Sequence, residues 1–320
     1  MPDLTKTGAA APAAKKRGMK KETREALVAY SFIAPNFIGF CVFTLVPVVA
    51  ALVLAFMEWD GVHAAKFVGI DNFVRMASDP NFKAAFWHTI EYVIGTVPTT
   101  IVCALALAIL LNQKIFARNF FRTVSFFPYV ASLVAVAAVW NMLFNPSMGP
   151  VNQLLASFGV ENLPKWAAGN DTAMLTVIMF SVWKNMGYYM VIFLAGLQGT
   201  NPELYEAASL DGANKWQQFW NVTLPQLAPT TFFVTIMVVI QSFKVYNEVY
   251  MITQGGPGTS TLVLVYQIYN EAFIGTPEYG YSCALSMVLF LLVLAVTIIQ
   301  FRAGEDKDAP AKKKHVRKAA

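Results

Sequence analysis

Two clusters of polar side chains sit inside stretches that are otherwise apolar. The first is Lys184, Asn185, Tyr188 and Tyr189; the second is Gln241, Ser242, Lys244, Tyr246 and Asn247. Amides, hydroxyls and phenols in this pattern suit holding a solute, not cleaving one. A sugar fits: its rim takes hydrogen bonds and its C–H faces lie against flat rings. Polar and ionisable groups at membrane depth mark a solute path or an internal pair by default. Asn, Gln and Ser could instead join helix to helix, and each lysine could reach the interface or pair with Glu91 or Glu248. The two lysines also admit an anionic sugar or sugar phosphate. Catalytic groupings are absent from the sequence. His63, His88 and His315 lie far apart, and Cys41, Cys103 and Cys283 have neither metal nor disulfide spacing. No GxxxxGK[ST] phosphate loop occurs. The reading is therefore a non-enzyme that needs no metal and no cofactor of its own.

A second polar feature is the loop at 200–229. Asn201-Pro202-Glu203 reads as a helix start, with a capping side chain, proline in the first turn and a carboxylate at the positive dipole end. Leu204, Ala207 and Ala208 then form one small-residue face, and Gly212 supplies a left-handed stop. Ala213, Trp216 and Trp220, with Phe219 beside them, make an apolar stripe that Pro225 and Pro229 end. A loop lying at the headgroups would account for the aromatics. It would not account for Glu206, Asp211 and Gly212 around a tight corner, whereas docking of an exposed short helix into another protein's groove would.

The elements that must position these residues follow from composition. The chain is 56% hydrophobic and 13% charged over 320 residues, against about a quarter charged in soluble domains. Crossing a bilayer as a helix takes about 20 mostly apolar residues. Runs at 26–57, 92–113, 123–160, 216–243 and 279–301 carry no charge, and 172–198 is broken only by Lys184. The fold class expected is an all-α integral membrane protein with six transmembrane helices, at 29–56, 87–111, 122–144, 172–198, 230–253 and 281–301. Eighteen Lys and Arg fall in the two tails and the second-to-third and fourth-to-fifth connections, against four in the opposite loops. Positive charge stays cytoplasmic, so both ends are expected inside. The organisation read is a disordered basic tail at 1–27, a first helix and outer loop at 28–86, a core at 87–302 and a second basic tail at 303–320. Orientation and anionic lipid explain the net charge of +5, so no nucleic acid is expected. The first helix is too long for a cleaved signal and reads as an anchor. Gly255-Gly256-Pro257 falls outside, as an ordinary turn or a contact for another protein. Pro47, Pro98 and Pro128 lie within helices, either as kinks for moving parts or merely tolerated.

The stretch Glu206-Ala-Ala-Ser-Leu-Asp211-Gly212-Ala213, with Phe219, Leu224-Pro225 and Pro229, resembles the "EAA" loop of permease subunits in ATP-binding-cassette importers. Trp183-Lys-Asn-Met-Gly187, Leu194-Ala-Gly-Leu-Gln198, Phe67-Val-Gly-Ile-Asp-Asn-Phe73 and Thr253-Gln-Gly-Gly-Pro257-Gly-Thr-Ser-Thr261 narrow the resemblance to the carbohydrate-uptake, maltose- and glycerol-phosphate-permease-like group. The resemblance covers about residues 28–302. It implies a type I importer (MetI-like) fold in a prokaryotic cytoplasmic membrane and a cytoplasmic coupling helix. It also implies partners: a second homologous permease in a heterodimer, two ATP-binding subunits and an extracytoplasmic solute-binding protein. Under it, Glu206, Ala207, Ala208, Asp211, Gly212, Ala213 and Phe219 would couple to the ATPase. Glu206 would make a charge contact and Asp211 would cap or brace the corner. From the residue types alone, substrate would meet Asn185, Tyr188, Tyr189, Gln241, Ser242, Lys244 and Asn247; the resemblance places the site on the same two helices, roughly at Tyr189, Gln241 and Ser242. Val238 and Val245 stand where a maltose permease carries polar groups, so the sugar site would differ in detail. Gly255, Gly256 and Pro257 would touch the binding protein, and no loop is long enough for an extra outer domain. The alternative is a self-sufficient secondary transporter or channel, which would call for mid-membrane carboxylates and an internal repeat.

Overall fold

The computed structural model describes residues 21–308; the tail assignments at 1–20 and 309–320 lie outside the described residues. Helix α1 (Lys21–Phe40) passes through a π-helical turn at Cys41–Leu45 into α2 (Val46–Leu54). The first helix thus starts inside the stretch read as tail. A two-residue antiparallel pair, β1 (Met57–Glu58) and β2 (Lys66–Phe67), is followed by α3 (Asp71–Ser78) and α4 (Pro80–Asn112). The chain continues through α5 (Arg118–Val130), α6 (Leu133–Leu143), α7 (Pro150–Ser157) and α8 (Ala173–Gln198). Next come α9 (Pro202–Leu210), α10 (Lys215–Gln218), a π-helical turn at Phe219–Thr223 and α11 (Leu224–Gln226). The last elements are α12 (Ala228–Phe243), α13 (Asn247–Ile252), α14 (Leu264–Phe273) and α15 (Tyr279–Asp308). Among the described residues, those up to Ala51 form one unit and those from Leu52 a second.

Among the described residues, Val28–Leu54, Pro80–Asn112, Ala173–Gln198 and Tyr279–Gly304 are each long and apolar enough to cross a membrane. Two bent pairs bring the number to six when each counts as one crossing. These are α5 with α6, bent by 100°, and Lys215–Gln226 with α12, bent by 67°.

Two predicted spans are therefore corrected. The stretch 122–144 is not one helix: Ala131 and Ser132 are extended between α5 and α6. Ala131 N–H closes α5 on the Phe127 carbonyl (3.0 Å), and the Ser132 carbonyl opens α6 by accepting from Val136 (3.0 Å). Pro128, one turn before the break, has no N–H to continue the ladder. Nor is 230–253 one helix, since Lys244, Val245 and Tyr246 leave helical geometry between α12 and α13. The second crossing begins earlier than expected because Asp79 caps it, its side chain accepting from Asn81 N–H at 2.8 Å.

The core of the second unit is α4 against α8, flanked by α12. Ala85, Ala104 and Ala108 of α4 are fully buried. Small side chains let helix backbones approach where water supplies no driving force. Phe193, Met190 and Leu194 of α8 and Val234 and Val238 of α12 fill the space this leaves. Gly187 marks the tightest approach. A Cβ there would overlap the Ser125 carbonyl oxygen of α5, so α5 lies backbone to backbone on α8. A second cluster joins Trp140 of α6 and Phe180 of α8 to Val249 and Ile252 of α13.

Candidate functional site

The helix break at 244–246 opens onto a cavity of about 260 Å³. Non-helical backbone at membrane depth is tolerated where it lines such a cavity. Asn185, Tyr188, Tyr189, Gln241, Ser242, Lys244 and Asn247 all line it, so the structure brings together every residue expected to meet substrate. Lys184 is not in the lining; its ammonium sits 5.4 Å above the Tyr129 ring. The volume is near the lower end for ligand pockets, ~300 Å³. Val238 and Val245 also line the wall, which keeps part of it apolar.

Local geometry leaves the polar atoms available. Asn185 uses its amide N–H on the Ser181 carbonyl (2.8 Å), leaving its oxygen for the cavity. Tyr129 and Tyr188 stack at 4.6 Å and 18°, and Tyr189 stands edge-on to Tyr188 at 5.1 Å. Lys244 makes no ion pair among the described residues, so the alternative in which it pairs with Glu91 or Glu248 is not the one adopted. It occupies the C-cap of α12, where the free carbonyls of a helix end favour a cation. Glu248 lies in the first turn of α13, where an acid is favoured for the converse reason. The two charges are matched to chain ends instead of to each other.

Sequence reasoning missed the third wall. Tyr92, Thr96 and Thr100 of α4 line the cavity at four-residue spacing, with Tyr129 of α5 and Glu248 of α13 beside them. Thr96 and Thr100 are 4% and 1% exposed; the Thr100 hydroxyl has no partner among the described residues, and the Thr96 hydroxyl faces only the Tyr92 phenol. A hydroxyl oxygen buried without a partner is costly, so Thr100 is poised for a solute or water. The spacing 92, 96, 100 on an apolar helix was the available signal.

At the other end of the crossings, the loop at 200–229 is a self-capped corner. The Asn201 side chain accepts from Glu203 N–H (3.0 Å), with Pro202 opening α9. Gly212 has φ +84°; its N–H reaches the Ser209 carbonyl (3.1 Å), and Ala213 N–H reaches Ala208 (2.9 Å). This is the Schellman closure that glycine allows. Asn214 and Gln217 exchange reciprocal capping bonds of 2.9 and 2.8 Å. Gln218 donates to Ser209 Oγ (2.9 Å), and the Tyr205 hydroxyl donates to Thr223 Oγ1 (3.1 Å), tying α9 to the π-helical turn. Glu206, Ala207, Asp211 and Gly212 are exposed, while Ala208 and Ala213 are half-buried. One expectation changes. Asp211 is at the C-cap, but its side chain makes no hydrogen bond among the described residues, so backbone and Gln218 brace the corner. Phe219 is half-buried beside Trp216 (6.0 Å) and Trp220 (5.3 Å). Leu210, 90% exposed at the tip, and Trp216, 69% exposed, are apolar surface that the motif did not single out.

The turn at 253–261 is stapled from inside. Thr261 donates to the Gly256 carbonyl (2.9 Å) and shares a bond with Thr253 (2.7 Å). Gly255 is buried, and a Cβ on it would press on the Tyr266 ring. It therefore offers no surface, and Gln254, Gly258 and Thr259 are the exposed residues of the turn. Gly256 and Pro257 are half-buried.

Residues 96–303 match the family described as binding-protein-dependent transport system inner membrane component. The chain is 34% identical over 288 residues to a probable ABC transporter permease protein, YurN, of Bacillus subtilis (strain 168), covering 88% of this chain and 98% of that one. It is 36% identical to the lactose transport system permease protein LacF of Rhizobium radiobacter, with coverages of 86% and 93%. It is 33% identical to the sn-glycerol-3-phosphate transport system permease protein UgpA of Shigella flexneri, with coverages of 87% and 94%. Its fold is similar to a chain in the crystal structure of the bacterial alginate ABC transporter in complex with alginate pentasaccharide-bound periplasmic protein. That match has a TM-score of 0.79 at 22% identity and covers 90% of this chain and 98% of that one.

Proposed function

This chain belongs to the family of binding-protein-dependent transport system inner membrane components, and on that premise we propose how it moves its solute. It is a multi-pass membrane permease of a sugar importer, a transporter subunit and not an enzyme. The observation that carries the proposal is the cavity at the α12–α13 break, where the amides, hydroxyls and phenols of three crossings converge. Asn185, Tyr188, Tyr189, Gln241, Ser242, Lys244 and Asn247 hold the sugar there, with Thr96 and Thr100 completing the ring of hydroxyls. The corner at 201–226 sits in a cleft of a separate ATP-hydrolysing subunit. Glu206 supplies the charge contact, Ala207, Ala208 and Ala213 allow close approach, and Asp211 and Gly212 form the exposed edge. Closure of two such subunits shifts the corner as a rigid body and turns the cavity from one side of the membrane to the other. Both termini are cytoplasmic, following the positive charge. A second, homologous permease completes the path, and a solute-binding protein delivers the sugar to the loops at 58–86 and 254–280, touching Gly256 and Pro257 with Gly258.

The test is uptake and ATP hydrolysis by the assembled complex in proteoliposomes. Glu206→Ala combined with Gly212→Pro is expected to abolish binding-protein-stimulated hydrolysis and to lose the ATPase subunit on purification. Wild-type uptake that persists without the ATPase subunit would overturn the proposal. Replacing Lys184 and Lys244 together by Met separates a neutral from an anionic sugar: a neutral one loses a single hydrogen bond from Lys244 and keeps most of its uptake, whereas an anionic one loses its charge partner and nearly all of it.

A further inference from the structure

A file of aromatic rings runs between two cavities of the second unit. One cavity is the site at the α12–α13 break. The other, about 610 Å³, lies among the β1–β2 connection, α3 and the turn into α15, and Trp59 is in its wall. From Trp59 the file passes to Tyr279 (centroids 5.5 Å apart), Phe273 (6.4 Å), Tyr269 (5.5 Å) and Tyr246 (5.1 Å). Tyr246 lines the first cavity. Tyr250 and Tyr266 widen the file, at 5.6 and 5.8 Å from Tyr246.

Burial separates this file from core packing. The large fully buried aromatics are Tyr281, Phe180 and Phe193. Phe273 is instead 64% exposed, and Trp59, Tyr279, Tyr269 and Tyr246 are each part-exposed. Rings left open in a continuous row, with a polar cavity at one end, present apolar faces to whatever moves along it. The step between rings is close to the length of one pyranose unit, so a saccharide leaving one face meets the next before it is fully hydrated. An acyclic glycerol phosphate has no flat face of this kind to offer.

We propose that Trp59, Tyr279, Phe273, Tyr269 and Tyr246 form a track along which a pyranose sugar passes between the two cavities. The substrate class is thereby a ring saccharide and not a glycerol phosphate. This rests on the sugar-importer reading above.

The test uses the assembled transporter, with its partner permease, ATPase and binding protein, in proteoliposomes. The probes are lactose, maltotriose and sn-glycerol 3-phosphate, and the variants are Tyr269→Phe, Tyr269→Leu and Tyr269→Ala; Tyr269 is not itself a lining residue of the first cavity, and Tyr269→Phe controls for its contact with Tyr246. Wild type carries a saccharide. Tyr269→Phe keeps its rate within about twofold, while Leu and Ala both lower it about three- to tenfold, the range for loss of one ring stacking partner. Leucine fills the same space without a flat face, so Leu matching Phe would mean packing and overturn the track alone. Wild type that carries only the glycerol phosphate would do the same. Wild type that carries a saccharide equally well without the ATPase subunit would remove the importer reading, and the track with it.

Discussion

Replacing Gly212 by a graded series isolates the geometry of the corner from its surface chemistry. Its φ of +84° is in the left-handed region, and a Cβ built there meets nothing within 4 Å. Alanine therefore costs only the backbone term, about 1–2 kcal/mol, less about 0.4–1 kcal/mol regained by stiffening the unfolded chain. The remainder, near 1 kcal/mol, lowers the population of the closed corner about fivefold. Asparagine accepts this conformation more readily than alanine and should fall between glycine and alanine. Proline fixes φ near −65° and removes the N–H that reaches Ser209 at 3.1 Å. Losing that bond costs about 0.5–1.5 kcal/mol, and refitting φ adds enough to exceed ~3 kcal/mol, a shift of more than about a hundredfold. The assay is co-purification of the ATPase subunit, with binding-protein-stimulated ATP hydrolysis in parallel. The order expected is Gly, Asn, Ala and then, far below, Pro. Proline behaving like asparagine would refute the idea that this left-handed turn presents the docking face.

Gly187→Ala should be more damaging to stability than Gly212→Ala. The added Cβ meets the Ser125 carbonyl of α5, a backbone atom no rotamer change can move aside. Overpacking of this kind costs about 1–3 kcal/mol, visible as a lower aggregation temperature of the purified chain in detergent. Thr100→Val keeps the shape of α4 but deletes a buried hydroxyl facing the cavity; if that hydroxyl holds sugar, uptake falls about threefold to tenfold with the aggregation temperature unchanged. His63 lies 2.6 Å from Asp60, which raises the imidazole pKa above its usual value and holds the carboxyl well below its own. The raised His63 makes the contact complete below its unfolded value and weaker as pH rises through its folded value. The depressed Asp60 adds the opposite limb, lost only in strong acid. Histidine-resolved NMR titration should find His63 above 6.5 in wild type and back near the ordinary value in Asp60→Asn.

Much of this was legible because membrane burial writes long uncharged runs, and because the Asn201, Pro202 and Gly212 signals are local chain properties. The breaks were hidden for a matching reason. Phe243-Lys-Val-Tyr-Asn247 contains neither glycine nor proline, so nothing local stops α12; the cavity permits the unwinding. The α4 wall was hidden because a threonine in an apolar helix ordinarily satisfies itself on the carbonyl four residues back. Thr89 does so on Ala85 and Thr99 on Gly95, both at 2.7 Å. That Thr96 and Thr100 do not is visible only once the neighbouring helices are in place. Asp211 looked like a brace because acids so often cap, but a Schellman closure uses backbone alone.

The hydrogen bonds that shape the corner between Asn201 and Thr223 all begin and end inside it. A segment whose form depends on no distant contact is already in its bound shape before a partner arrives. Association then loses little free energy to ordering the loop, so contact area converts more fully into affinity. The same independence makes the corner an interchangeable part. Grafted between two other membrane crossings, it would keep its outline, and one ATP-hydrolysing subunit could serve several permeases that share nothing else.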